Sequence, residues 1–422
     1  MSNNKCILVL GANQFQRERA LIGIEKATDA TVVSVSSMAP FHDNKFATKV
    51  ICSNETNPAE LLQAVITFLK RSEMILVAVI PLNDFVLNAG LVIANYYNLP
   101  YNSAETINNC RFKNKLKEVL AKENLPIVRS QKFSTISEAE AIALELDFPV
   151  VIKPVNFGGS GGVKKVTNFE ELRTAIDESK QHLSQFAKKY DSESNIFVME
   201  PYIVRDREVS IEVLNTPNSK YILGVTDKFL GCEPYFSEIA HLVPSNLMLD
   251  KDIKDSLFEL AERACKALKI EFGLAHVEIK LNNDGSDPVI IEVGARPAGD
   301  GIIDLYEKSS GYNFYKAHCE TYLGTFPPDS LPKSLHCSSA VGYFHPVPGI
   351  LDKVNYELSS ELLNDVDIIK VNVSKGQEIK SAQNWSTRYG YVEFTFTDHL
   401  SPNFDLLSKI KNITEGLFQI RN

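Results

Sequence analysis

Ala275–Arg296 reads AHVEIKLNNDGSDPVIIEVGAR, with alternating runs at His276–Lys280 and Ile291–Arg296 on either side of Asn282–Asp287. Period-two alternation around an Asn/Asp/Gly-rich connection predicts a β-hairpin. Glu278 and Glu292 are equidistant from Gly285, so a simple hairpin sets them opposite each other as a cross-strand pair. Side chains two residues apart share a face. Glu278, Glu292 and Arg296 are therefore expected to project together, with Val277, Ile279, Ile291 and Val293 in the core. Two opposed carboxylates repel unless a cation lies between them. Mg²⁺ suits that position, because it takes carboxylate oxygens and completes its octahedron with water and phosphate oxygens. The bland alternative is a solvated acidic face partnered by Lys280 and Arg296.

Upstream, Phe157–Val163 reads FGGSGGV, between a strand expected at Pro149–Pro154 and another at Lys164–Val166. Glycines there can bring backbone N–H groups of Gly159, Ser160 and Gly161 close to phosphate oxygens, with the Ser160 hydroxyl as a further donor. Lys153, on the entering strand, would meet phosphate as a point charge. No GKT ending follows, and a strand succeeds the loop, which disfavours a P-loop. An unliganded solvent loop is the other reading. In the segment FVMEPYIVRDREVSIEVL, Glu200-Pro201-Tyr202-Ile203 ends one strand and Glu208 begins the next. Free backbone groups beside Ile203 could recognise adenine and a carboxylate could bridge ribose hydroxyls; taken alone, the stretch reads better as an ordinary strand–loop–strand.

The first hundred residues alternate strands (Cys6–Leu10, Thr31–Val35, Met74–Ile80) with helices (Arg17–Lys26, Ala59–Leu69), which predicts a parallel, doubly wound sheet. The turn Gly11–Asn13 holds one glycine where a dinucleotide fingerprint needs three, so NAD binding is disfavoured. A long amphipathic helix is expected at Lys251–Leu268, and a β-rich end piece after the Pro-rich punctuation at residues 326–332. At 422 residues the chain exceeds one compact core. Its 44% hydrophobic and 23% charged content is that of a globular protein, and a formal net charge of -9 argues against nucleic acid or anionic membrane as partner. The longest apolar run, MILVAVIP, is too short to span a bilayer, and the N-terminus lacks a signal-peptide core. Seven scattered cysteines with no CxxC spacing predict reduced, mostly buried thiols and a cytoplasmic location.

Taken together these residues resemble the ATP-grasp superfamily, in the order RFKNKLKEVLAKENLP, FPVVIKPVNFGGSGGV, VMEPYI, REVSIEV, HVEIKL and IIEVGARPAGD. The resemblance implies an α/β (α+β) ATP-grasp fold, with a Rossmann-like domain at 1–106, an ATP-grasp domain at 107–330 in lobes 107–196 and 197–330, and a C-terminal β-rich domain at 331–422. It implies Lys113 as the first ATP lysine, with Lys115 as the fallback, and Lys153 as the second. Glu200, with Pro201 and Ile203, would take adenine; Glu208 would hold ribose; Glu278 and Glu292 would hold Mg²⁺, with Mn²⁺ as a substitute. Arg296, Lys153 and Ser160 would act on the transferred phosphate and acyl group. Gly294 stands where many members have Asn, which questions a symmetrical two-metal site.

Within the superfamily the chain looks most like L-amino acid ligases of the bacilysin-synthetase type. The signals are EVGARPAGD, Tyr235–Ser245 (YFSEIAHLVPS), and the segment from Asn83-Asp84 to Leu99-Pro100. That likeness puts Asp84, Glu238 and His241 around an amino-acid pocket; the plainer readings are a helix N-cap, a surface acid and a core-edge histidine. It implies ATP-dependent joining of a carboxylate to an amine through an acylphosphate, small-molecule substrates, and it allows a homodimer. A biotin-carboxylase-like or purine-pathway ligase and a catalytically silent ATP-binding module are the alternatives.

Overall fold

The computed structural model describes residues 4–12, 18–36, 49–190, 195–231, 233–397 and 405–421; Asn13 and Arg17, named above, and Cys232, one of the seven cysteines, lie outside them. The N-terminal strands form a parallel sheet in the order Lys49–Cys52, Thr31–Ser36, Lys5–Leu10, Ile75–Pro81. Its two central strands and Ile75–Pro81 are mostly buried, as a sheet covered by helices requires, while Lys49–Cys52 at the edge is half-exposed. Two helices from far along the chain, Ile302–Ser310 and Phe314–Leu323, share its core through Tyr306, Phe314 and Tyr322.

Two antiparallel sheets enclose the central cavity. A four-stranded one runs Gln131–Phe133, Phe197–Pro201, Val150–Pro154, Lys164–Val166, so the glycine-rich stretch is the tip of the hairpin pairing Val150 with Val166. The other has eight strands, beginning Val289–Gly294, Gly273–Leu281, Arg207–Asn215, Lys220–Leu230, Glu238–Val243. Ser338–Tyr343, Gly390–Phe396 and Val366–Val371 continue this sheet, so the β-rich end piece is hydrogen-bonded to Glu238–Val243 in the sheet whose opposite edge is the acidic hairpin. Helix Lys251–Ala267 buries Leu257, Leu260, Ala261 and Ala264 behind it, on the predicted stripe.

An ionic cluster joins three distant parts of the chain. Arg19 meets Glu393 at 2.8 Å, and Lys308 meets Glu393 at 2.7 Å and Asp367 at 3.0 Å. Asp304 lies among these groups, and burial first, then Glu393 and Glu307, push its carboxyl up to about 7 against the pull of Arg19 and Lys308. The folded chain therefore holds a proton that the unfolded chain has released between about pH 4 and 7, and stability falls as pH rises through that window. Asp304→Asn is expected to flatten the fall and to raise the melting midpoint at pH 7. Parallel melting profiles for parent and variant between pH 4 and 7 would refute the assignment.

Candidate active site

The acidic hairpin forms as the alternation dictates, with Glu278 directly opposite Glu292. The register slips just beyond, where Ile279 pairs with Ile290. Ile291 is thus the extra residue of a bulge and lines the cavity, contrary to its expected place in the core, while Ile290 is buried instead. The Lys117 ammonium holds the bulge, donating to the Ile290 carbonyl at 2.8 Å, and the Ile290 N–H donates to Pro126. Lys117 is buried, which lowers its pKa to about 8 although Glu200 lies 3.8 Å away.

A cavity of about 850 Å³ brings the predicted residues together: Asp84, Lys113, Lys153, Gly159, Ser160, Glu200, Pro201, Ile203, Glu208, Glu238, His241, Glu278, Glu292 and Arg296 all line it. Two candidates are not among its lining residues. Gly161 packs inward, where a Cβ would come within 2.5 Å of Phe157. Lys115 is exposed and lies over the Phe112 ring. Lys113, in contrast, donates to the Phe157 carbonyl at 2.8 Å and sits 3.1 Å from Glu292.

Lys153 meets Glu200 at 2.6 Å. Burial opposes both charges, yet each holds the other ionised: the lysine is raised and the carboxyl lowered. Glu200 Oε1 is buried without a hydrogen-bond partner, an acceptor waiting for a donor from the cavity. The glycine-rich tip is closed down over the cavity. Gly159 and Ser160 have φ of +64° and +57°, the Ser160 hydroxyl donates to the Phe236 carbonyl at 2.7 Å, and a Cβ on Gly159 would strike Trp385 at 2.6 Å. The hydroxyl must rotate away from Phe236 before it can serve a ligand.

In the middle, Lys228 lies 2.6 Å from Glu278 and 2.9 Å from Glu208. Burial disfavours its charge, but the carboxylates raise its pKa well above the usual lysine value. Glu278 is correspondingly held well below the ordinary carboxylate range, burial being overcome by Lys228 and His276. Lys280 reaches Glu208 at 3.5 Å.

Arg296 donates from Nε to Asp84 at 2.7 Å. Asp84 is not the N-cap of the short helix that follows; Asn83 takes that role through Phe85 N–H. Gly294 faces this pair. A Cβ there would lie 3.3 Å from the Arg296 guanidinium and 3.5 Å from Asp84, so the residue that departs from the family pattern leaves room for the ion pair. Glu238 is buried, and so is no surface acid: it accepts from Arg388 at 2.8 Å, and burial is the main reason its pKa is raised. Arg388 also grips Asp300 at 2.8 Å and stacks on Tyr343. His241 is fully buried 3.4 Å from Asp300, with Nδ1 unpartnered.

Sequence reasoning gave no role to Lys228, His276, Asp300, Trp385 or Arg388. Lys228 follows Thr226 and Asp227 in its strand, so no local pattern singles it out. Arg388 and Trp385 carry no local motif.

The chemistry of the wall fits a nucleotide carried with a divalent cation. Asp84, Glu200, Glu208, Glu238, Glu278, Glu292 and Asp300 are matched in number by Lys113, Lys153, Lys228, Lys280, Lys370, Arg296 and Arg388. Such a balanced wall leaves the charge of a polyphosphate to be neutralised by an added cation, and Glu278 and Glu292 are hard oxygen donors at the right register. Among the described residues no cluster of three His, Cys, Asp or Glu side chains could hold a metal alone, so the remaining ligands would come from phosphate and water. Among the same residues no helix is long and apolar enough to cross a membrane.

Residues 146–304 match the family described as the ATP-grasp domain. Alanine–anticapsin ligase of Bacillus subtilis (strain 168) is 26% identical over 221 residues, covering 48% of this chain and 44% of that protein. D-alanine–D-alanine ligase of Rhodococcus erythropolis is 30% identical over 210 residues, covering 46% and 52%. The chain thus spans about half the length of these curated relatives. An L-amino acid ligase from Bacillus licheniformis superposes over 100% of both chains with a TM-score of 0.80 at 21% identity, a likeness of fold.

Proposed function

We propose, from the premise that this chain has the ATP-grasp fold, that it is an ATP-dependent ligase joining the carboxylate of one amino acid to the amine of another, with release of ADP and phosphate. The observation that supports this best is the Glu278–Glu292 pair and Arg296 facing Lys113 and Lys153 across one cavity, beneath a glycine-rich tip. The acidic and cationic groups Asp84, Glu238, His241 and Arg388 on the same cavity wall suit a zwitterionic substrate.

Glu200 Oε1 would accept from the adenine amino group, with Pro201 and Ile203 alongside, and Glu208 would accept from ribose hydroxyls. Lys113, Lys153 and the N–H groups of Gly159 and Ser160 would hold the phosphates. Glu278 and Glu292 would hold Mg²⁺, which supplies neutralisation of charge on the phosphate oxygens. A donor carboxylate oxygen then attacks the γ-phosphorus, the bond to the β-phosphate oxygen breaks, and ADP leaves. The acceptor amine attacks the acyl carbon of the resulting acylphosphate, loses a proton, and expels inorganic phosphate. Arg296 can make paired hydrogen bonds to the acyl and phosphoryl oxygens throughout. The closed tip, with Trp385 behind it, keeps water from the acylphosphate.

A screen of amino-acid pairs for phosphate release, with mass detection of the product, is expected to find a dipeptide formed with ADP. Donor amino acid bearing ¹⁸O in its carboxylate is expected to pass one label into phosphate. AMP as product, or label retained wholly in the amide, would rule out the acylphosphate route.

A further inference from the structure

We infer that Glu212 and His276 form a positioning pair that fixes the orientation of Glu278 for its metal. The inference rests on the assignment of Glu278 as a Mg²⁺ ligand proposed above.

The strand Arg207–Asn215 presents Glu208, Ser210 and Glu212 on one face, and Gly273–Leu281 presents His276, Glu278 and Lys280 beside them. Register sets Glu212 directly opposite His276 and Ser210 opposite Glu278. His276 Nδ1 lies 2.8 Å from Glu212 Oε1, and its Nε2 lies 3.0 Å from Glu278 Oε1. Ser210 donates to the same Glu212 oxygen at 2.8 Å. Both ring nitrogens therefore meet carboxylates, and neither is left for a substrate, so His276 acts through Glu278. Lys228 also bonds Glu278 Oε1, which leaves Oε2 as the oxygen available to a ligand of the cavity.

Stability alone does not account for the arrangement. Glu212 is fully buried and its Oε2 has no hydrogen-bond partner. A buried carboxylate on a cationic partner is commonly no more stable than an apolar pair of the same volume. What the pair provides is direction. A glutamate has freely rotating torsions, and an imidazole clamped at its far nitrogen removes one set of them. Partners behind a metal ligand typically contribute about 10–100-fold to metal affinity.

The test is Mn²⁺ titration of the full chain by electron paramagnetic resonance, with ADP present, alongside Mg²⁺ dependence of turnover. Glu212→Gln and His276→Ala are each expected to weaken Mn²⁺ binding by about 10–100-fold. The Mg²⁺ concentration for half-maximal rate should rise in step, and kcat at saturating Mg²⁺ should recover most of the parent value, a split that general loosening of the fold would not give. His276→Gln, which keeps one donor to Glu278, should fall between parent and His276→Ala, and it carries the test should Glu212→Gln not fold. Folded variants with Mn²⁺ affinity within twofold of the parent overturn the inference. A parent chain that binds no Mn²⁺ overturns the metal assignment instead, and this inference with it.

Discussion

Glu292→Gln is expected to reduce Mg²⁺-dependent turnover by on the order of 10³-fold while leaving the fold intact. The substitution keeps the shape of the side chain and removes the charge. Stabilisation of phosphoryl charge by a bound divalent ion is worth several kcal/mol, and each 1.36 kcal/mol is about tenfold in rate. The fold should tolerate the change, because Glu292 is partly exposed on the cavity wall and Lys113 retains its bond to the Phe157 carbonyl. Circular dichroism and melting should match the parent. Near-normal turnover with unchanged Mg²⁺ dependence would remove Glu292 from the metal site.

Arg296→Ala is expected to lower kcat by about 10²–10³-fold, the usual loss when one preorganised donor to a developing oxyanion is deleted. ATP affinity should change less than kcat, since the nucleotide would also be held by Lys113, Lys153 and Glu200. The chain has one tryptophan, and Trp385 packs on Gly159 at the glycine-rich tip, so its fluorescence offers a direct reading of nucleotide binding. The guanidinium is lost from the reacting centre, and Asp84 loses the partner it now meets at 2.7 Å. Lysine should rescue only in part, because a point charge cannot reproduce a planar pair of donors. Parent-like kcat in Arg296→Ala, or a loss confined to ATP affinity, would refute the role.

The sequence by itself determined the elements whose partners are close in the chain. Glu278 and Glu292 could be paired on paper because a hairpin's register follows from one turn and a period of two. The glycine-rich tip was readable for the same reason. Parallel alternation in the first hundred residues was legible because buried strands advertise themselves as apolar runs. Tertiary structure alone decided the rest. The bulge that turns Ile291 into the cavity depends on Lys117 and Pro126, which approach from another element. Between Lys113 and Lys115, spacing preferred one and kept the other; the rotation of the helix on its core places Lys113 inward and leaves Lys115 in solvent. Lys228 gains its surroundings only when its strand lies beside that of Glu208. Arg388 reaches Glu238 across 150 residues. Charge pairs of that kind leave no periodic trace, because the strength of an ion pair depends on distance and burial in the folded chain, and neither is a property of sequence separation.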